Sequence, residues 1–248
     1  MKLTHYEELL LEEYLDSLPC ENSREEIRPL LIKRLEEGEP IAYILGKQYF
    51  YNLHFKVTPD VLIPRPDTER LIELSLKMLP QNAHIIDLGT GSGCIVTTLL
   101  YNRADVSATA LDKSSNALKI AKENAALWGV ESRISFVCDD ILSSPAVSGS
   151  FDAVISNPPY IKTGVIKDYP SLSYEPIMAL DGGADGMIFY RRIIDEYSAS
   201  LKDGGIFIFE IGFDQADDIK ALAKEKSLDA VVYKDYSSND RVAIIKKT

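Results

Sequence analysis

The region that says most about the fold, residues 85–93, reads Ile85-Ile86-Asp87-Leu88-Gly89-Thr90-Gly91-Ser92-Gly93. Its apolar start is typical of a buried strand, and its closely spaced glycines predict a turn in which no Cβ atoms restrict the backbone. A helix is expected to follow, from Ser92 to about Tyr101. This order predicts the first unit of an α/β sheet, with the turn at the carboxyl end of the strand, where such sheets bind their ligands.

Beyond this turn, short apolar runs alternate with helical patterns. Six further runs predict strands at Val106–Asp112, Ile134–Cys138, Phe151–Ile155, Ile206–Ile211, Ala230–Tyr233 and Arg241–Ile245. Helices are predicted at Ser114–Trp128, Gly186–Leu201 and Gln215–Lys226. Strands separated by helices predict a doubly wound, mostly parallel, seven-stranded sheet of the Rossmann-like α/β class. The last two strands are joined by a polar turn, so we expect them to pair antiparallel.

A different pattern precedes residue 83. Apolar residues at helical spacing predict helices in residues 1 to about 45, with a break at Pro19 to Asn22. A hairpin is expected around Asn52-Leu53, and Asp67 or Thr68 is expected to cap a helix through Met78. We therefore expect three regions: an N-terminal helical substrate-recognition region at 1–46, a hairpin with a connecting helix at 47–82, and the main α/β domain at 83–248.

Composition narrows the functional classes. Proteins that bind by neutralising phosphates carry a basic surplus, whereas this chain has a net charge of −11, so no direct nucleic-acid partner is expected. Cys20, Cys94 and Cys138 are widely spaced; the last two lie in apolar runs, and we expect them in the core, with no metal site. The N-terminus has no apolar signal core and no segment resembles a membrane span, so we expect a cytoplasmic monomer without membrane contact.

The glycine turn and Asp112 together predict a cofactor site. Asp112 ends the second strand, 23 residues beyond Gly89, where an acid can bind both hydroxyls of a ribose. The Gly-x-Gly-x-Gly spacing differs from the dinucleotide pattern, which favours a nucleoside cofactor without phosphates. The alternative is a glycine turn needed for packing alone. After the third strand, Asp140 could reach an adenine amine and Ile141 could cover the ring, unless Asp139 and Asp140 are merely solvated.

A second loop predicts the reaction. Asn157-Pro158-Pro159-Tyr160 follows the strand at Phe151–Ile155, and two prolines prevent that strand from continuing. The Asn157 side-chain carbonyl and the Pro158 main-chain carbonyl can each accept one N–H of a planar amine, while the Tyr160 ring lies against the substrate. Such a loop would aim the nitrogen lone pair at an electrophile. The alternative is a simple turn that ends a strand.

These residues resemble a known family. The glycine turn, Asp112 and the Asn157 loop resemble class I S-adenosylmethionine-dependent methyltransferases that act on planar amino groups. Longer runs are similar to the bacterial release factor glutamine methyltransferases: Gly38 to Gly46, Leu62-Ile63-Pro64-Arg65-Pro66-Asp67-Thr68-Glu69, Tyr174-Glu175-Pro176, Asp181-Gly182-Gly183 and Asn239-Asp240-Arg241. The resemblance extends from about residue 38 to the C-terminus, and the N-terminal helical region looks shorter than is usual in that family.

The resemblance implies both substrates. The cofactor would be S-adenosyl-L-methionine, with S-adenosyl-L-homocysteine as product, and the partners would be class-1 peptide chain release factors, methylated on the glutamine amide of a Gly-Gly-Gln loop. The implied cofactor residues are Gly89, Thr90, Gly91, Ser92, Gly93, Asp112, Asp140, Ile141 and Asn157. The implied substrate residues are Arg65, Asn157, Pro158, Pro159 and Tyr160, of which Asn157, Pro158 and Tyr160 would be catalytic. Arg65, Asp67 and Glu69 could instead form an ion-paired helix start.

Other classes fit less well. An adenine amine methyltransferase acting on DNA or RNA uses a similar loop, but the acidic balance and the lack of a basic run count against it. A nicotinamide oxidoreductase shares the sheet and not the glycine spacing. A cofactor-binding module without activity would not need the Asn157 loop. No strong general base is evident in the sequence.

Overall fold

The computed structural model describes residues 4–19, 21–143 and 147–247. Within these residues, seven strands form one sheet: β3 (His84–Leu88), β4 (Ser107–Asp112), β5 (Ile134–Cys138), β6 (Phe151–Ser156), β7 (Leu201–Glu210), β8 (Asp229–Lys234) and β9 (Asp240–Lys246). The helices that accompany them are α4 (Glu69–Met78), α5 (Cys94–Asn102), α6 (Ser115–Leu127), α7 (Ile188–Tyr197) and α8 (Ala216–Glu225). The predicted fold class is confirmed.

The strand order places two loops side by side. Across the sheet the order is β5-β4-β3-β6-β7-β9-β8, and β9 runs antiparallel to both β7 and β8 while the other neighbours are parallel. The chain therefore winds outward in one direction from β3 and in the other from β6. Open sheets bind ligands at such a switch point, outside the carboxyl ends of the two strands. The glycine turn follows β3 and the Asn157 loop follows β6, so both lie there.

Both faces of the sheet are buried. Alternate residues of a strand point to opposite faces, and Ile85 and Ile86 accordingly join two different clusters of buried apolar side chains. The cluster around Ile85 includes Leu71 from α4 and Leu99 from α5, whereas the cluster around Ile86 includes Ile193 from α7. Burial on both faces explains why these strands read as continuous apolar runs.

The N-terminal part consists of α1 (His5–Asp16), α2 (Glu21–Glu36), α3 (Ile41–Leu45) and a hairpin of β1 (Lys47–Phe50) and β2 (Leu53–Lys56). Thr4 begins α1 through a capping box with Glu7, in which each residue accepts the other's backbone N–H. The helices share a small apolar core around Leu11 and Leu35. Tyr43 of α3 joins them to the connecting segment, because its hydroxyl donates to the carbonyl oxygen of Val61 at 2.6 Å, and it shares a small apolar cluster with Ile120 of α6.

Three local predictions are wrong. The hairpin turn is Tyr51-Asn52, one residue earlier than expected, since both residues have positive φ (48° and 62°) and this register buries Leu53. Strand β7 begins at Leu201 rather than at the predicted Ile206, because residues 202–205 form an irregular stretch opposite β6. Helix α7 ends at Tyr197 rather than at the predicted Leu201.

Of the two cysteines expected in the core, one is buried and one is exposed. Cys94 is buried as expected, whereas Cys138, at the end of the edge strand β5, is exposed. Cys20 lies outside the described residues.

Helix α2 begins at Glu21, inside the predicted break. Among the described residues no helix is both long and apolar enough to cross a bilayer.

Candidate active site

The glycine turn forms one wall of a cavity of about 390 Å³ at the carboxyl ends of β3 and β4. Gly91 takes a positive φ of 54°, which turns its backbone N–H toward Asp112 Oδ2 at 2.8 Å. Below the turn, the Thr90 hydroxyl donates to Asp87 Oδ2 at 2.6 Å. Burial raises the pKa of the Asp87 carboxyl to about 7, and its Oδ1 is buried without a hydrogen-bond partner within the described part of the chain.

Asp112 is held by backbone donors on both sides. Its Oδ2 accepts from Gly91, and its Oδ1 accepts the backbone N–H of Ser114 at 2.8 Å. Burial raises the pKa of Asp112, and the N–H groups of Ser114 and Gly91 partly oppose that rise. Each carboxylate oxygen has a second lone pair, so the side chain can still accept hydroxyl groups from the cavity.

The loop after β5 adds an acid and an apolar cover. Lys113 Nζ lies 2.8 Å from Asp140 Oδ2, and this ion pair holds the pKa of Asp140 below its usual value. Ile141, 9% exposed, lines the same cavity. Of the residues expected to contact a cofactor, Gly93 alone does not line the cavity; a Cβ there would lie 3.0 Å from the Ala121 Cβ, so this glycine allows α5 to pack on α6.

The Asn157 loop is fixed from several directions. The Ser156 hydroxyl donates to the Leu88 carbonyl oxygen at 2.6 Å, which ties the start of the loop to β3. Gln215 Nε2 donates to the Tyr160 carbonyl oxygen at 3.3 Å. A Cβ on Gly182 would lie 2.7 Å from the Tyr160 Cα, so only glycine lets the segment of residues 181–183 approach this closely. These contacts fix the position of the loop relative to β3 and to residues 181–183.

Asn157 has an orientation that suits an acceptor. Its Nδ2 donates to the Thr68 hydroxyl oxygen at 3.4 Å, and its Oδ1 accepts no hydrogen bond from the described residues. The Pro158 carbonyl oxygen is likewise free of donors from those residues. Two acceptors on consecutive residues are thus available to a planar amine.

A second, smaller cavity of about 180 Å³ meets the larger one at this loop. Asn157 and Arg65 line both cavities, together with Leu62 and Ala179. Pro159 lines the larger cavity only, whereas Pro158 and Tyr160 line the smaller one only. Apart from Gly93, the predicted cofactor residues therefore border the larger cavity, Pro158 and Tyr160 border the adjoining smaller one, and Asn157 lies at the junction.

The residues before α4 are ion-paired and also border the site. Arg65 Nη2 pairs with Glu175, whose side chain is 1% exposed and also accepts the Ile63 N–H at 3.1 Å. Asp67 lies 3.5 Å from the Arg241 guanidinium, and Glu69 accepts the Tyr51 N–H at 2.9 Å. Arg65 thus lines the cavities and forms an ion pair, while Glu69 anchors the hairpin.

Sequence reasoning missed Glu210, at the end of β7. Its side chain is 1% exposed, lines the smaller cavity, and accepts the Tyr160 hydroxyl on Oε1 at 3.3 Å. The available signal was a single acid inside the apolar run from Ile206 to Ile211. Thr68, which is buried and contacts Asn157, was predicted only as a helix cap.

Solved structures that superimpose on this fold include methyltransferases. A methyltransferase from Pyrococcus furiosus superimposes with a TM-score of 0.60 at 16% identity, covering 87% of this chain and 96% of that one. A ribosomal protein L11 methylase from Lactobacillus delbrueckii subsp. bulgaricus superimposes with a TM-score of 0.54 at 23% identity, covering 74% and 81%. A family profile described as "Methyltransferase small domain" matches residues 68–169. The fold is therefore the Rossmann-like one that these methyltransferases share, with a methyltransferase-domain profile over residues 68–169.

Sequence relatives narrow the class to one family. The chain is 40% identical over 229 residues to the release factor glutamine methyltransferase of Thermodesulfovibrio yellowstonii, covering 90% of this chain and 81% of the relative. It is 38% identical over 231 residues to the enzyme of the same name from Caulobacter vibrioides, covering 90% and 80%. The chain belongs to the release factor glutamine methyltransferase family, which confirms the resemblance seen in its sequence.

Proposed function

We propose that this enzyme transfers a methyl group from S-adenosyl-L-methionine to the side-chain amide nitrogen of the glutamine in the Gly-Gly-Gln loop of class-1 peptide chain release factors. The observation that carries the proposal is the position of Asn157 at the junction of two cavities, in a chain that belongs to this family. One cavity offers the polar groups that a nucleoside needs, and the other is bordered by free carbonyl acceptors.

The larger cavity suits a cation. The acidic side chains that line it, Asp60, Asp112, Asp140 and Asp181, outnumber the basic ones, Arg65 and Lys113. S-adenosyl-L-methionine carries a sulfonium, which supplies an electrophilic methyl group when it is bound. In our proposal Asp112 accepts the ribose hydroxyls, Asp140 and Ile141 hold the adenine, and the backbone of Gly89 to Ser92 borders the amino acid part.

The smaller cavity would receive the glutamine side chain. Asn157 Oδ1 and the Pro158 carbonyl oxygen each accept one amide N–H, and Tyr160 borders the flat face of the amide. These contacts hold the nitrogen in line with the methyl group, which is catalysis by orientation. They also place partial negative charge where the nitrogen becomes positive. Arg65, exposed in part and paired with Glu175, would contact the incoming loop.

We assign regions accordingly. The main domain at 83–248 binds the cofactor, the segment 47–82 brings Arg65 and Thr68 to the site, and the helices within 1–46 contact the body of the release factor. Leu9 and Leu30, which are more than half exposed on α1 and α2, support an interaction surface there. We expect a monomer that acts in the cytoplasm, where release factors are used.

An adenine amine methyltransferase remains the rival, because an adenine amine is also planar. The net charge of −11 and the relatives' names both disfavour it. Both reactions would use Asn157 and Pro158, so the loop itself does not distinguish them.

The test supplies methyl-labelled S-adenosyl-L-methionine with a release factor, with the same factor carrying alanine in place of the Gly-Gly-Gln glutamine, or with duplex DNA. We expect label in the intact factor only, on the glutamine amide by mass spectrometry, and no competition by DNA. Label in DNA at a comparable rate, or in the alanine factor, would overturn the proposal.

A further inference from the structure

Glu210 is a buried acid with no structural ion pair among the described residues. It ends β7, where its backbone pairs with Val242 of β9 and its carbonyl oxygen accepts the Tyr190 hydroxyl at 2.8 Å. The neighbouring Arg241 is instead engaged by Asp235, at 3.2 Å, and by Asp67. The Glu210 carboxyl is thus held inside the protein without a bound countercharge, which is costly unless the group has another use.

Its two oxygens have different surroundings. Oε1 accepts the Tyr160 hydroxyl at 3.3 Å, whereas Oε2 is fully buried and has no hydrogen-bond partner among the described residues. The side chain lines the smaller cavity together with Asn157 and Pro158. The Glu210 carboxyl group therefore borders the same cavity as the two carbonyl groups that would hold the amide nitrogen.

We propose that Glu210 is a catalytic residue that accepts the proton lost by the amide nitrogen when it is methylated. This inference rests on the proposed function. As the nitrogen lone pair forms the N–CH₃ bond, the S–CH₃ bond breaks and its electron pair stays on sulfur, which leaves the nitrogen positively charged. One N–H bond then breaks, its electron pair returns to nitrogen, and the proton binds Glu210. A sulfonium and a carboxylate thereby become a neutral thioether and a neutral acid.

Among the acceptors that border the smaller cavity, the carboxylate is the strongest base. A main-chain carbonyl such as that of Pro158, or the Asn157 amide oxygen, can orient an N–H but cannot keep its proton. Glu210 takes the proton from that position directly or through one water molecule, the range within which general bases act. The carboxyl returns the proton to solvent after the product leaves.

The protonation behaviour of Glu210 agrees with this role. Burial raises its pKa to about 7, while the Thr68 hydroxyl, Arg241 and Tyr160 favour the ionised form and Asp67 opposes it. The other titratable groups that influence or are influenced by Glu210 are Cys94 and Tyr190. Burial raises the pKa of Cys94 to about 12 and raises that of both tyrosines, so these groups stay neutral near pH 7.

The experiment is single-turnover methylation of a release factor at saturating S-adenosyl-L-methionine, measured across neutral pH. A base must be ionised, so the wild-type rate should rise with pH through about 7 and then level off. E210Q keeps the size of the side chain and an acceptor for Tyr160 but cannot take a proton. We expect it to bind the cofactor within about twofold of wild type, by calorimetry, yet to be about 10²–10⁴-fold slower, with no rise near pH 7.

Y160F is the matched variant, because it removes the hydrogen bond to Glu210 and leaves the carboxylate. If Glu210 only positioned Tyr160, the two variants would behave alike; we expect Y160F to keep the rise with pH. A rise that persists in E210Q would assign it to another group, such as Asp87, and overturn the inference. A flat wild-type profile would overturn it without any variant. Failure of the wild type to methylate any release factor would instead count against the proposed function.

Discussion

Asp112 gives the sharpest prediction about cofactor binding, because its roles in binding and in folding can be separated. Asp112→Ala removes the acceptor proposed for the ribose hydroxyls, and leaving such groups unmatched costs about 1–3 kcal/mol. The dissociation constant for S-adenosyl-L-methionine should therefore rise about 5- to 150-fold. The substitution also leaves the N–H groups of Gly91 and Ser114 without acceptors. Two such bonds contribute about 0.5–1.5 kcal/mol each, so the free energy of unfolding should fall by about 1–3 kcal/mol.

Calorimetry and urea unfolding measure the two effects. Asp105→Ala is the matched control, because Asp105 also accepts a backbone N–H, that of Asn82 at 2.8 Å, but does not line either cavity. It should reduce stability and leave cofactor affinity unchanged. If Asp112→Ala binds the cofactor as tightly as wild type, Asp112 is only a structural acceptor and its assignment to the ribose is wrong.

Three further predictions concern the Asn157 loop and the buried acids. Gly182→Ala should lower kcat by about 10²-fold with little change in cofactor affinity, since its Cβ would lie 2.7 Å from the Tyr160 Cα and displace the loop. Gly164→Ala, whose Cβ would meet nothing within 4 Å, should have no effect on turnover, and equal kinetics for the two variants would contradict the proposed packing. Glu210 holds its proton more tightly in the folded chain, with the pKa raised from 4.5 to about 7, so ionising it destabilises the fold as pH rises between those values. E210Q escapes this penalty and should gain up to about 3 kcal/mol relative to wild type between about pH 5 and pH 8, and an unchanged difference in urea unfolding at the two pH values would refute the shift. Arg65→Ala should lower the free energy of unfolding by about 1–3 kcal/mol, because Glu175 keeps a buried charge without its partner, and a stability equal to wild type would show that this ion pair contributes nothing.

The arrangement of the sheet could be predicted because its signals are local. Strands buried on both faces are continuous apolar runs, and β5 was predicted with its observed bounds, Ile134–Cys138. The glycine turn requires positive φ angles at Gly89, Gly91 and Gly93, which explains why glycines stand there. The polar turn before β9 correctly indicated its antiparallel pairing with β8.

Predictions failed where distant parts of the chain decide the outcome. Residues 202–205 of β7 are two polar residues and two glycines, and the strand was predicted only from Ile206; the pairing of its first residues depends on β6, about 50 residues earlier. The hairpin register depends on which side chain the core accepts, and Leu53 and Phe55 are the buried ones. Cys138 looked like a core residue because a sequence does not reveal which strand lies at the edge of the sheet.

The same distinction, between local signals and contacts of distant parts of the chain, applies to the candidate site. Asp112 and Asn157 were predicted because each follows a strand at the carboxyl end, where parallel sheets gather their functional groups. Thr68 and Glu210 could not be predicted as site residues, since each borders the site only through a side chain that is distant in the sequence. Asn157 lies 89 positions from Thr68, and Tyr160 lies 50 positions from Glu210. A polar residue within an apolar run indicates a candidate functional group, but the sequence does not show which loop that residue will contact.

The central claim is that Asn157 holds the amide nitrogen for methyl transfer, and single-turnover kinetics of Asn157→Ala on a release factor test it most directly. Asn157 contributes to the transition state more than to cofactor affinity, so at saturating S-adenosyl-L-methionine the variant should be about 10²–10³-fold slower while its cofactor dissociation constant stays near that of wild type. Asn157→Asp, which keeps an acceptor, should retain part of the activity. Near-normal turnover in Asn157→Ala would mean that the loop merely ends β6, and the proposed mechanism would be wrong.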